Sequence, residues 1–122
     1  MIEKTKILVA DDEEIMRDVL SALLTGDNYT VDLAENGGQA LAMLRENTYD
    51  VMLLDLLMPQ MSGMEALALF RDRWPGTPIL VISSMDSDRL VQEALEAGAS
   101  GYITKPFHPV EIASAVERVL AA

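Results

Sequence analysis

The chain has 122 residues, half of them hydrophobic, and a formal net charge of -11. That length suits one domain with an ordinary core, and the acidity argues against direct contact with nucleic acid or an anionic membrane surface, both of which need clustered Lys and Arg. Cysteine is absent, so disulfides and thiol chemistry are excluded.

The first six residues, Met1 to Lys6, hold no apolar leader core, and no apolar run approaches the ~20 residues needed to span a bilayer. A cytoplasmic protein is expected. Short apolar runs then alternate with amphipathic stretches five times. The spacing predicts strands over Lys6–Ala10, Thr30–Ala34, Val51–Leu54, Ile79–Ile82 and Gly101–Ile103. The first helix places Ile15, Val19 and Leu23 on one stripe, with Met16 and Leu20 alongside. The second follows Gly37-Gly38 and uses Ala40, Leu41 and Leu44. The third carries Met64, Leu67 and Ala68 and stops before Pro75-Gly76, with Trp74 packing at its end. The fourth has Leu90, Val91, Ala94 and Leu95 and ends at Gly98. The fifth has Ile112, Ala113, Val116 and Leu120 and is entered through Pro109.

The first, third and fourth strands are nearly unbroken apolar runs, which favours strands covered on both faces of a parallel sheet. Strict alternation with helices points to a doubly wound α/β domain. Right-handed crossovers then bring every strand C-terminus to one edge, where such folds bind their ligands. A single domain over residues 1–122 is expected, with no output domain in the chain.

The charges fall at that edge. Asp11 and Asp12 close the first strand, Asp55 closes the third, and Lys105 follows the fifth. Acidic residues favour a helix start, which accounts for Glu13 and Glu14 and for one of the two aspartates, but poorly for both. Clustered carboxylates repel, and a cation relieves that repulsion; hard oxygen donors suit Mg2+. A carboxylate held beside a metal can act as a nucleophile toward phosphorus, with Mg2+ and Lys105 neutralising charge. Ser83 and Ser84 end the fourth strand, where a hydroxyl can meet a phosphoryl oxygen or simply serve a turn. Lysine at the end of a buried strand has no ordinary structural task beyond extending its head to water. His108, the only histidine, reads as a solvated loop residue, and the eight methionines as mostly core filler.

These residues resemble the receiver domains of two-component response regulators. The resemblance runs from Lys6 to Leu120 and rests on Asp11-Asp12, on Asp55-Leu56-Leu57-Met58-Pro59 with Gly63 eight residues beyond Asp55, on Ser83, on Ala97-Gly98-Ala99 and on Lys105-Pro106-Phe107. It implies a flavodoxin-like sheet of order 2-1-3-4-5 with five helices. It implies that Asp55 accepts a phosphoryl group from a sensor histidine kinase or a phosphotransfer protein. Asp12, Asp55 and the Leu57 backbone carbonyl are then ligands of Mg2+, with Mn2+ as a substitute, and Asp11 assists through water. Ser83 and Lys105 meet phosphoryl oxygens. Tyr102 is the switch aromatic that turns inward as Ser83 moves toward the phosphate. The face of helix four, strand five and helix five, including Arg89, Leu90, Glu111 and Arg118, then changes for an output domain, a downstream protein or a second copy of the chain. The domain is expected to be a phosphoacceptor and not an enzyme. Apolar Leu57 and Met85 beside the site cannot orient an attacking water, so slow self-dephosphorylation is expected.

Moving a switch from 1:99 to 99:1 takes ~5.5 kcal/mol, whereas one charge-assisted hydrogen bond at Ser83 supplies roughly 1.5–3 kcal/mol. Lys105 and repacking around Tyr102 are left to contribute the rest.

Other readings fit less well. A phosphatase of the haloacid dehalogenase type needs an acid two residues after its nucleophile, where Leu57 stands. A flavodoxin-like cofactor protein would meet phosphate with Asp11–Glu14, which repel it. No P-loop is present. A phosphorylation-independent binding module that keeps the fold is the serious rival.

Overall fold

The computed structural model describes residues 4–26, 28–59 and 61–122. Met1, Ile2 and Glu3, at the start of the segment read above for a leader, lie outside the described residues. The strands are β1 (Thr5–Ala10), β2 (Tyr29–Ala34), β3 (Val51–Asp55), β4 (Ile79–Ser83) and β5 (Gly101–Thr104). The helices are α1 (Glu14–Leu24), α2 (Gly37–Glu46), α3 (Gly63–Arg73), α4 (Asp88–Glu96) and α5 (Pro109–Ala121). All strand pairs are parallel, in the order β2-β1-β3-β4-β5.

The sheet is covered on both faces because its strands alternate two apolar sets. Leu8, Ala10, Met52, Leu54, Ile79 and Val81 pack with residues of α2, α3 and α4. Ile7, Val9, Val51, Leu53, Leu80 and Ile82 pack with residues of α1 and α5. Every residue of β3 and β4 is buried, as the unbroken apolar runs implied. Each such side chain contributes roughly 1.5–3 kcal/mol on leaving water.

Local chemistry sets the helix ends. Asn36 caps α2 by accepting from the Gln39 N–H at 2.8 Å, and Ser87 caps α4 by accepting from Leu90 at 3.2 Å. Gly98 has φ 110°, a left-handed conformation that favours glycine, and it follows the last turn of α4. Gly63 opens α3 against β3; a Cβ there would collide with the Leu56 backbone. Pro109 is the first residue of α5, and Trp74 closes α3 with its ring centroid 6.3 Å from that of Phe70.

The structure differs from the sequence reading in the strand bounds, where β1 and β2 each begin one residue earlier, and in the helix faces. β3, β4 and β5 each run one residue further, so Asp55 and Ser83 are the last residues of their strands: Asp55 sits opposite Ile82, and Ser83 opposite Thr104. Strand pairing is a backbone property and does not stop where the apolar side chains do. The buried stripe of α1 is Leu20 and Leu24 with half-buried Met16, whereas Ile15, Val19 and Leu23 are 79%, 39% and 38% exposed. α1 carries two adjacent apolar rows, and only one meets the sheet. On the same grounds Ala68 and Ala113 face solvent, and Ala66 and Ala115 are buried in their place.

Candidate functional site

The edge formed by the strand C-termini gathers three carboxylates around one ammonium, with a fourth, that of Asp12, beside them. Asp11 follows β1 and is 1% exposed; Asp55 ends β3 and is 3% exposed. Lys105 follows β5, its backbone N–H donating to the Ser83 carbonyl at 2.8 Å, so β4 carries it to the site. Its Nζ donates to Asp11 Oδ2 at 3.0 Å, to Glu13 Oε1 at 3.3 Å and to Asp55 Oδ2 at 3.3 Å. An ammonium has three protons, and each has a carboxylate. The Lys105-Pro106 peptide bond is cis.

Both buried aspartates are held by backbone as well. Asp11 Oδ1 accepts from the Glu13 N–H at 2.9 Å. Asp55 Oδ1 accepts from the Leu57 N–H at 2.9 Å. Burial, foremost, and then the charge of Asp11 raise the Asp55 carboxyl above the ordinary range, against the lowering pull of the Leu57 N–H and Lys105. Burial of Lys105 acts to lower its pKa and is outweighed by Asp11, Asp55 and Glu13, so the ammonium is held above its usual value. Burial thus opposes ionisation of Asp55 even with Lys105 beside it, and a bound cation would favour the ionised form.

The donors fit such a cation. Asp11, Asp12, Glu13 and Asp55 each offer a carboxylate oxygen, and these oxygens lie within 4.8 Å of one another. All are hard donors, and Asp12 and Glu13 are exposed, leaving room for water, as Mg2+ prefers. Beside the carboxylates lies an open cavity of about 610 Å³ whose lining includes Asp12, Leu57, Met58, Met61, Met85 and Leu90.

The second half of the site is the loop after β4. Ser83 is fully buried, and its Oγ accepts from the Met85 N–H at 3.1 Å. The Tyr102 hydroxyl donates to the Met85 carbonyl at 2.5 Å. Both groups therefore hold the same residue, one through its N–H and one through its C=O. Ser84 is exposed. His108 is exposed at the start of α5, its N–H donating to Glu111 Oε1 at 3.1 Å, in keeping with a solvated residue. Arg89 pairs with Glu93 on the same helix at 3.1 Å.

Asp11, Asp55, Lys105 and, by its carboxylate, Asp12 come together as the sequence implied. Two further residues join them. Helix-start chemistry accounts for Glu13 in the sequence, yet its carboxylate reaches Lys105. Arg17 is a residue that the sequence reading does not single out; its guanidinium donates to the Asp11 carbonyl at 2.8 Å. The available signal for Arg17 is a cation near a helix N-terminus, where the dipole disfavours one.

A family model described as the response regulator receiver domain matches residues 7–117. The chain belongs to this family. The match reaches all five strands, entering β1 at Ile7, and takes in both halves of the site. The receiver is 40% identical to the transcriptional regulatory protein ResD of Bacillus subtilis over 96% of this chain and 48% of that protein, so it spans about half of that relative's length. It is 35% identical to the chemotaxis protein CheY of Halobacterium salinarum over 96% of this chain and 98% of that one. The crystal structure of a CheY-like receiver domain from Methanospirillum hungatei superposes with a TM-score of 0.92 at 27% identity, covering 98% of this chain and 95% of that chain. Receiver domains act as phosphorylation switches in two-component signalling, and this chain carries the fold and the acidic site of that class.

Proposed function

We propose that this receiver takes a phosphoryl group on Asp55 and passes the event to the surface of α4, β5 and α5. The observation that carries the reading is the convergence of Asp11, Glu13 and Asp55 on Lys105, with the Asp12 carboxylate clustered beside them, within a receiver fold. Asp55 Oδ2 attacks phosphorus as the P–N bond of a phosphohistidine donor breaks; the imidazole keeps the electron pair and takes a proton. Lys105 exchanges a carboxylate contact for a phosphoryl oxygen, and exposed Glu13 is the least costly one to release. Asp12, Asp55 and the Leu57 carbonyl would hold Mg2+, or Mn2+ in its place, with Asp11 acting through water. When bound, that ion offsets the charge of the phosphoryl oxygens.

Ser83 Oγ gives up the Met85 N–H to donate to the phosphoryl group, and Tyr102 keeps the freed loop in place through the Met85 carbonyl. The domain assists its own phosphorylation and slow dephosphorylation and turns over no other substrate. The donor, a sensor kinase or phosphotransfer protein in the cytoplasm, docks across the exposed row Ile15, Val19 and Leu23, which begins two residues after Glu13. Output passes to an attached domain, a downstream protein or a second copy. Peptide mapping after borohydride reduction of the phosphorylated protein tests the acceptor: conversion of Asp55 to homoserine is expected, and conversion elsewhere contradicts the reading.

A further inference from the structure

Asp11 is immobilised at every polar atom. Its N–H donates to the Ala34 carbonyl at 3.1 Å, its Oδ1 accepts from Glu13, and its Oδ2 accepts from Lys105. Its carbonyl accepts from Arg17 Nη1 at 2.8 Å. That carbonyl belongs to the peptide unit joining Asp11 to Asp12, and a peptide unit is planar. Fixing the oxygen fixes the plane, and with it the direction in which Asp12 leaves the backbone. Asp12 has no other anchor: among the described residues its exposed carboxylate makes no hydrogen bond or ion pair.

Arg17 is itself held for this task. Its side chain is 12% exposed, and Nη2 lies 3.6 Å from Glu35 Oε1 at the end of β2. Asp12, Arg17 and Glu35 line one cavity of about 390 Å³. The guanidinium thus spans from the loop after β2 to the loop after β1, with its planar fork engaged at both ends.

We propose that Arg17 is a positioning residue for the cation site, setting the Asp11–Asp12 peptide so that the Asp12 carboxylate points at the metal. This rests on the reading of the acidic site given above. Arg17 makes an unusual positioning residue because its charge opposes its geometry. A cation beside a metal site weakens metal binding electrostatically, so loss of the charge alone tightens binding. Loss of an outer anchor loosens it, typically by 10–100-fold. The two accounts differ in sign.

The test is calorimetric titration of the full chain with Mg2+ alone, beside thermal melts, for the wild type and Arg17→Met. The Mg2+ Kd of Arg17→Met is expected to rise roughly tenfold or more. With a small phosphodonor, half-maximal phosphorylation should then require correspondingly more Mg2+, while the rate at saturating Mg2+ stays near the wild-type value. A lower melting temperature with an unchanged Kd makes Arg17 merely structural and overturns the proposal, as does a tighter Kd. If Arg17→Met fails to fold, Arg17→Lys decides: it keeps the charge and loses the fork, so weaker Mg2+ binding is expected and wild-type or tighter binding overturns the idea. A wild-type chain that binds no Mg2+ at all would instead remove the acidic-site reading, a separate outcome.

Discussion

Lys105 Nζ lies 3.3 Å from Asp55 Oδ2 and 3.0 Å from Asp11 Oδ2, so one ammonium joins the ends of β1 and β3 from the end of β5. Both carboxylates are buried and depend on that cation. Lys105→Met keeps the apolar stem and removes the charge. Breaking a buried pair from one side costs roughly 3–5 kcal/mol, and with Lys105 11% exposed the lower end, about 3 kcal/mol, is expected. Urea unfolding in EDTA measures it, and added Mg2+ should restore part of the loss. A variant as stable as the wild type would show that the carboxylates do not rely on Lys105.

Asp55 is poised against its own ionisation. Its folded pKa is raised above the unfolded value of 3.8, chiefly by burial. A raised pKa means that the group's contribution to stability is fully present below the unfolded pKa and is lost as pH rises through the folded one. Ionised Asp55 therefore costs stability at neutral pH. A carboxamide in its place cannot ionise, so Asp55→Asn should melt higher than the wild type at pH 7 without metal. The gain should shrink as pH falls toward 3.8. Melting curves across this range check both the sign and the window; a variant less stable at pH 7 contradicts the account.

Tyr102 is tied to Met85 by its hydroxyl alone, while its ring packs against the core under α4. Tyr102→Phe removes the tie and keeps the ring. The loss of stability is expected to be about 1 kcal/mol. The larger effect should be on output: with the Met85 carbonyl released, binding of the downstream partner should respond less to phosphorylation. Partner titrations with and without a phosphoryl mimic measure this, and an unchanged response would remove Tyr102 from the switch.

Leu57 is 46% exposed at the mouth of the site, and its N–H already serves Asp55. Its side chain offers no donor or acceptor to a water approaching the phosphoryl group. Leu57→Asn should shorten the phosphoryl lifetime roughly tenfold, the worth of one hydrogen bond of about 1.4 kcal/mol. Loss of label from the isolated phosphoprotein gives the lifetime. A wild-type lifetime already as short as the variant's would show that Leu57 does not slow hydrolysis.

Charges that end apolar runs made the site legible in advance: Asp11, Asp55 and Lys105 stand out because a buried strand has no other use for them. Alternation of strands and helices was enough to place them on one edge. The face of α1 was not legible, since Ile15-Val19-Leu23 and Met16-Leu20-Leu24 are equally apolar rows, and the packing of the whole sheet selects between them. Glu13 and Arg17 escaped for another reason. Glu13 reaches a lysine 92 positions away, and Arg17 bonds a backbone carbonyl, an acceptor that every residue has. The tie between Tyr102 and Met85 was hidden in the same way, since its acceptor is backbone too.

The most direct measurement is intact mass after incubation with a small phosphodonor, with and without Mg2+, for the wild type and Asp55→Asn. The account expects a Mg2+-dependent gain of one phosphoryl group in the wild type and none in the variant. A wild type that gains nothing under any condition, or a variant that gains as much as the wild type, would contradict it; the first result would favour a binding module that keeps the receiver fold without its chemistry.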